Sequence, residues 1–135
     1  MNIQPYILLG GQTEAAIAFY QATLGAKVVM MMRFSDAPDQ GMITKENKNL
    51  IMHASIQIGE SMLLMSDGNC DNPEPIKSCS LSLNIPNLAE AEATFHKLAE
   101  GGTVTLAFGK TFWSEGFGML VDRFGVAWMV SVFHG

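Results

Sequence analysis

The stretch Cys79 to Val104, CSLSLNIPNLAEAEATFHKLAEGGTV, contains a strand, a capped helix and a glycine stop in that order. Cys79, Leu81, Leu83 and Ile85 fall on one face and Ser80, Ser82 and Asn84 on the other, which is the alternation of a half-buried strand. Asn87 and Glu90 have the spacing of a capping box. Ala91, Phe95 and Leu98 then recur at helical intervals until Gly101-Gly102 closes the helix. The same pattern occurs earlier in the chain. Ala15, Phe19, Gly25 and Val28 fall on Ala91, Phe95, Gly101 and Val104 at a constant offset of 76 residues, without a gap. In the first copy Ile3 to Leu9 reads as a strand, with Pro5, Ile7 and Leu9 on one side and Gln4, Tyr6 and Leu8 on the other. Thr13 suits an N-cap. Ala16, Ile17, Phe19, Tyr20 and Leu24 follow at helical spacing, and Gly25 ends the run. Two such units, each too small to bury its own apolar face, are expected to share one core.

The remaining segments repeat the order strand, helix, strand, strand, strand. Ala26 to Phe34 is rich in Val and Met and predicts a strand. Ser35 to Asn49 is polar, contains Pro38 and Gly41, and reads as a long loop of the functional or mobile kind. Leu50 to Ile58 alternates, with His53, Ser55 and Gln57 opposite Ala54, Ile56 and Ile58. Gly59-Glu60 makes a hairpin into Met62 to Ser66. Asp67 to Lys77, with Pro73 and Pro75, is the joint between copies. Thr103 to Trp113, Phe117 to Val121 and Val126 to Phe133 complete the second copy, and Asp122 to Gly125 is a turn whose glycine supplies a positive φ. The expectation is one α+β domain over residues 1–135, with βαβββ modules at 1–67 and 78–135. Helices lie on one side of its sheet, and a partly polar concave face lies on the other.

Composition narrows the function. Apolar residues make up 48% of the 135 and charged residues 16%, a balance that favours a packed core over disorder. The net charge of −5, with only eight Lys and Arg and no cluster of them, argues against nucleic acid or an anionic membrane surface as partner. No run approaches the roughly 20 apolar residues of a membrane span. Met1 leads into a strand-like segment without a basic and then apolar leader, and Cys70 and Cys79 suit reduced thiols; a cytoplasmic protein is expected. Ten methionines, three of them consecutive at Met30, Met31 and Met32, read as core filler or as a soft, adaptable binding surface.

Several short motifs carry a family likeness. Pro5-Tyr6-Ile7, Ala18-Phe19-Tyr20 and Leu24-Gly25-Ala26, followed by Phe112-Trp113, Gly116-Phe117-Gly118 and the run Asp122 to Met129, resemble the PhnB-like branch of the vicinal oxygen chelate superfamily. That superfamily includes glyoxalase I, fosfomycin and bleomycin resistance proteins and extradiol dioxygenases. The resemblance covers nearly the whole chain and is most specific from Thr111 to Met129. It implies two βαβββ modules in an eight-stranded half-barrel (the glyoxalase/bleomycin resistance/dioxygenase fold), usually with a cleft completed by homodimerisation. Some relatives carry a demethylubiquinone methyltransferase label, but no glycine-rich turn of the kind that holds S-adenosylmethionine is visible here.

By that resemblance, metal ligands would stand on the first and last strand of each module. The positions are Gln4 or Pro5, Leu64, Ser80 and Met129. Divalent ions want imidazole or oxygen donors, and of these residues only Gln4 offers one of use. No cofactor is therefore expected, and a divalent metal is the alternative. What remains for the concave face is a row of neutral hydrogen-bonding groups, Gln4, Tyr6, Ser80, Ser82 and Ser131, joined by His53 if its strand presents the Ser55 side inward. Phe112, Trp113 and Trp128 are candidate apolar walls, although Trp128 alternates with Val126, Val130 and Val132 as a core residue does. The same polar residues also suit a plain solvated groove. His53 is the one candidate for proton transfer, with a structural hydrogen-bonded role as its plainer reading. His96 and His134 read as surface residues. Asp67 reads as a partner for His53 or as turn chemistry, Asp122 as a turn residue, and Arg33 as a solvated strand end or an anion contact. The candidate ligand-binding set is Gln4, Tyr6, His53, Ser80, Ser82, Trp113 and Met129. The reading favours a metal-free binder of a small organic molecule. Its alternatives are a divalent-metal lyase, isomerase or dioxygenase, a metal-free enzyme using His53, and a structural dimer without ligand.

Overall fold

Both copies of the pattern fold in the expected order, with their boundaries moved. A computed structural model of the chain describes residues 1–38, 41, 43–68 and 76–132; Cys70, Pro73, Pro75, Phe133 and His134 lie outside them. The chain falls into two compact units, Met1–Glu74 and Pro75–Gly135. The first contains β1 (Tyr6–Leu8), α1 (Thr13–Leu24), β2 (Lys27–Arg33), β3 (Ile51–Ile58) and β4 (Ser61–Ser66). The second contains β5 (Leu81–Ile85), α2 (Leu88–Ala99), β6 (Thr103–Gly109), β7 (Phe117–Val121) and β8 (Ala127–Val132). Each is a βαβββ module with its own four-stranded sheet, ordered β1-β4-β3-β2 and β5-β8-β7-β6. In both, the first strand runs parallel to the last and the other pairs are antiparallel. The parallel pair is what the intervening helix permits, because parallel neighbours need a long crossover.

In the first sheet, register sets Ile7, Met65 and Ala54 in one row and Leu63 beside Ile56. All five are buried, as are Ala16, Ile17 and Tyr20 of α1, which packs over β3. In the second sheet Leu120 and Trp128 pair, and they are buried together with Val130, Ala91, Phe95 and Leu98. Trp128 is thus a core residue. Its indole Nε1 donates to Asp122 Oδ2 at 2.9 Å.

The repeat is real but not uniform. Ala15 is exposed whereas Ala91 is buried, so the helices do not match at 76. The buried pairs are Ala16 with Ala91 and Tyr20 with Phe95, an offset of 75, while Gly25 and Gly101, both at positive φ, keep 76. The first helix is entered through Gly10, Gly11 and Gln12, the second through Pro86 and Asn87 only. Glu100 restores the count before Gly101.

Other boundaries shift for local reasons. The ladder of β1 spans three residues rather than the seven expected; beyond it Pro5 O accepts from Leu64 N and Leu9 N donates to Ser66 O, while Ile3 is exposed. β6 ends at Gly109 rather than at Trp113. Thr111 and Ser114 curl the chain there with bonds between their own side chains and backbone, which compete with a ladder. The loop after β2 is partly built: Phe34–Asp36 forms a 3-10 turn and buried Asn47 accepts from Thr44 N at 2.7 Å.

Thr13 is the first helical residue, not the cap. Gln12 occupies the N-cap position and makes no side-chain cap bond. The cap comes from outside the helix: buried Asp67 accepts from Gly11 N and Thr13 N through Oδ1, each at 2.9 Å, and from Ile51 N through Oδ2 at 2.8 Å. Asp67 is therefore neither a partner of His53 nor a plain turn residue. In the second module Asn87 caps α2 as expected, accepting from Glu90 N at 2.8 Å. Asp122 is a turn residue, as expected, whose Oδ1 accepts from Phe124 N and Val126 N.

Asp67→Asn removes one acceptor and turns an amide N–H toward a backbone donor. We expect urea unfolding to show a loss of about 1–3 kcal/mol with secondary structure retained; an unmoved midpoint contradicts the capping role. Gly102 meets backbone where a Cβ would sit, 2.2 Å from Val121 O. Gly102→Ala should cost about 1–3 kcal/mol by overpacking, read in the same assay.

Candidate functional site

The face of the first sheet away from α1 is set by parity. Tyr6 lies across from Leu64, Leu64 from Ser55 and Ser55 from Met30, one row over four strands. His53, two residues before Ser55, shares that side and pairs with Met32. β3 therefore presents its His53, Ser55 and Gln57 side with Tyr6, which the sequence left open. Tyr6 and His53 meet directly: Tyr6 Oη and His53 Nδ1 are 3.0 Å apart and the ring centroids 5.5 Å apart, tilted by 37°. Tyr6 remains 48% exposed and His53 is half-buried, so the pair is open to solvent. Gln4 precedes β1 and is exposed. Arg33 is not available to an anion at this face, since its guanidinium pairs with Glu14 and donates to Asn49 O at 2.8 Å.

The second sheet has a matching face of different chemistry. Ser82 lies opposite Met129, which lies opposite Met119, and Asn84 lies opposite Ser131. Ser131 Oγ donates to Asn84 Oδ1 at 2.7 Å. Ser80 and free Cys79 precede β5 and are exposed. Trp113 sits in the loop before β7, 57% exposed, with its ring edge-on to Phe117 at 5.4 Å. Phe112 packs edge-on against Trp113 and is 97% exposed. Ser114 braces that loop: its Oγ donates to Val132 O at 2.9 Å and to Gly116 O at 2.7 Å.

Tyr6 and His53 are thus brought together in one module, and Ser82 and Met129 in the other. Gln4 and Ser80 flank their strands, and Trp113 stands on a separate loop. Three features escaped sequence reasoning: the Met30 and Met32 side chains beside His53, the Asn84–Ser131 bond, and the Ser114 brace. Parity had signalled Ser131. The run Met30 to Met32 stood out in composition, but a bulge between Val28 and Met30 breaks the alternation of β2 and hid which of its residues share the face of His53.

Of the positions implied for metal ligands, Leu64 lies opposite Tyr6 and Met129 opposite Ser82, while Gln4 and Ser80 precede their strands. A phenol, a hydroxyl, an alkyl chain and a thioether do not make a donor set for a hard or borderline dication. Among the described residues no three His, Cys, Asp or Glu side chains converge. Among the same residues no helix is long and apolar enough to cross a membrane.

Comparison with known proteins agrees with this architecture. The chain is 33% identical over 140 residues to Protein YjdN of Escherichia coli (strain K12), covering 98% of this chain and 95% of that protein. Among solved structures it is similar to protein PA1353 of Pseudomonas aeruginosa, with 43% identity, a TM-score of 0.87 and coverage of 98% and 97%. It also resembles a Bacillus cereus PhnB protein described as a putative 3-demethylubiquinone-9 3-methyltransferase, with a TM-score of 0.82 over 98% of this chain and 100% of that one. At 22% identity that likeness shows the fold alone. The family model of the Glyoxalase/Bleomycin resistance protein/Dioxygenase superfamily matches residues 2–130. On the evidence of that match and the duplicated βαβββ fold, the chain belongs to the Glyoxalase/Bleomycin resistance protein/Dioxygenase superfamily.

Proposed function

We propose that this protein binds a small organic molecule through the open faces of its sheets, without a divalent metal ion. The observation that carries the reading is the exposed Tyr6–His53 hydrogen bond on a face otherwise lined by Leu64, Ser55 and methionines. Binding sites for small organic ligands are mostly apolar with a few placed polar groups, and that is the mixture here. Ser82, the Asn84–Ser131 pair, Met129 and the Trp113 ring supply a second set of the same kind. All of these are hydrogen-bonding or apolar groups, and none is a carboxylate, ammonium or guanidinium. They favour a ligand with oriented hydroxyl, carbonyl or amide atoms beside an apolar or aromatic body.

The chemistry of the donor positions supports the metal-free reading, because Leu64 and Met129 stand where a dication would need oxygen or nitrogen. The start of α1 does not favour a methyltransferase role of the kind described for the Bacillus cereus neighbour. The N–H groups of Gly11 and Thr13 at the start of α1 are occupied by Asp67 and so are not free for a nucleoside or phosphate-bearing cofactor. A homodimer in a reducing, cytoplasmic setting completes the proposal. β2 and β6 are edge strands with exposed apolar residues, Val29, Met31, Val104 and Leu106 among them, and an uncovered edge of that kind invites pairing. Exposed Cys79, with its free thiol, suits a reducing compartment.

A thermal-shift screen of aromatic, phosphonate and dicarbonyl compounds, run with and without Zn, Ni and Mn, should give hits that do not depend on added metal. Stoichiometric divalent metal in the purified protein, or hits seen only with metal, would overturn the reading. For such a hit, His53→Ala should weaken binding by about 1–3 kcal/mol in calorimetry. Light scattering after gel filtration should report twice the chain mass, and Val104→Lys with Leu106→Lys should halve it.

A further inference from the structure

We propose that Met30, Met32 and His53 form a binding site for a soft monovalent metal ion, Cu(I), on the first sheet. Two ladder pairings place the donors together. Met32 and His53 are direct partners in the β2–β3 ladder, and Met30 pairs with Ser55, so both thioethers share the face of the imidazole. Met31, between them, pairs with Ala54 on the opposite face and takes no part. The Cβ atoms of opposed residues lie about 4.5–5.5 Å apart and those of diagonal neighbours about 7–8 Å apart. Three rotatable bonds let each methionine swing its sulfur across that gap.

The histidine is already oriented for the task. Its Nδ1 is engaged by the Tyr6 hydroxyl at 3.0 Å. In the tautomer that donates Nδ1–H to that oxygen, Nε2 keeps its lone pair. A metal-bound histidine characteristically bonds through its other ring nitrogen in this way, which fixes the ring and its tautomer. Met30 is 39% exposed, on an edge strand, so an ion has access to the site.

The donor set chooses the ion. Two neutral, polarisable sulfurs and one imidazole suit Cu(I), whereas Mn and Mg want oxygen donors, and Zn wants thiolate, carboxylate or further imidazoles beside the one that this cluster offers. The site lies on β2 and β3 rather than on the strand positions implied for the superfamily's divalent ions, and it holds whether or not an organic ligand binds. Tyr6 is a positioning residue here, acting through His53.

The test uses the full chain with Cys70→Ser and Cys79→Ser, so that thiols cannot bind the ion. Ag(I) is titrated in air, and Cu(I) anaerobically against a bathocuproine competitor, with methionine methyl groups followed by carbon-13 NMR. The expected result is one equivalent bound, with two methyl signals moving: those lost in Met30→Leu and Met32→Leu. Either leucine variant, which conserves volume and fold, should weaken Cu(I) at least tenfold, as should His53→Gln. Tyr6→Phe should weaken it less, and Zn(II) should move no methyl signal. Saturation by the double leucine variant with parental affinity, or methyl signals that stay still at a twofold excess of Ag(I), overturns the proposal.

Discussion

Asp67 leaves the end of β4 and at once turns its carboxylate back into the first module. One oxygen takes the N–H groups of Gly11 and Thr13, the other that of Ile51, and its own N–H donates to Ile51 O. Three segments distant in sequence are thereby tied at one point: the β1–α1 turn, the start of β3 and the end of β4. Buried backbone donors must be paired, and here one side chain satisfies three. The consequence is felt on the far face of the sheet. With β1 locked parallel to β4 and β3 locked antiparallel to it, Tyr6 and His53 are carried to the same side, two strands apart, where a phenol is long enough to reach an imidazole.

The two modules are alike in frame and unlike in chemistry. Ala16 and Tyr20 in one helix, and Ala91 and Phe95 in the other, fill the same buried positions. The small alanine lets the helix approach its sheet and the ring fills the space beyond. On the faces away from the helices the duplication has diverged. One carries a phenol–imidazole pair with thioethers beside it; the other carries a hydroxyl–amide pair, a thioether and a braced aromatic loop. No carboxylate is placed on either set. The two buried aspartates among the described residues, Asp67 and Asp122, spend oxygens on backbone N–H groups and on an indole, and so serve the frame.

The glycines show how closely the second module is assembled. A Cβ at Gly118 would lie 2.6 Å from the Phe95 ring, so the sheet meets α2 with no room for a side chain. The β5–β8 and β7–β8 ladders put Ser82, Met129 and Met119 in one row, and the Trp128–Asp122 bond ties β8 to the turn that follows β7. Side chains mounted on such strands are held more firmly than those on loops. Trp113 gains comparable support from the Ser114 hydroxyl, which bonds two carbonyls at once.

Local pattern determined the order of elements, the two modules, the face of β5 that carries Ser82 and Asn84, and the core role of Trp128. These depend on alternation, helical spacing and turn residues within about ten positions, and they survive without knowledge of neighbours. Alternation also grouped His53 with Ser55 and Gln57, but it left the side they face undecided, because both faces of β3 carry residues that can be buried. Tertiary pairing decided that question. It set Tyr6 opposite Leu64 and Ser82 opposite Met129, since parallel register is set by the other strand. It made Asp67 a cap for a helix more than fifty residues away. It also placed Met30 and Met32 beside His53, past a bulge that alternation cannot count across. Residue spacing along one strand is a local property; which residues meet across strands is set by hydrogen bonds between segments far apart in the chain.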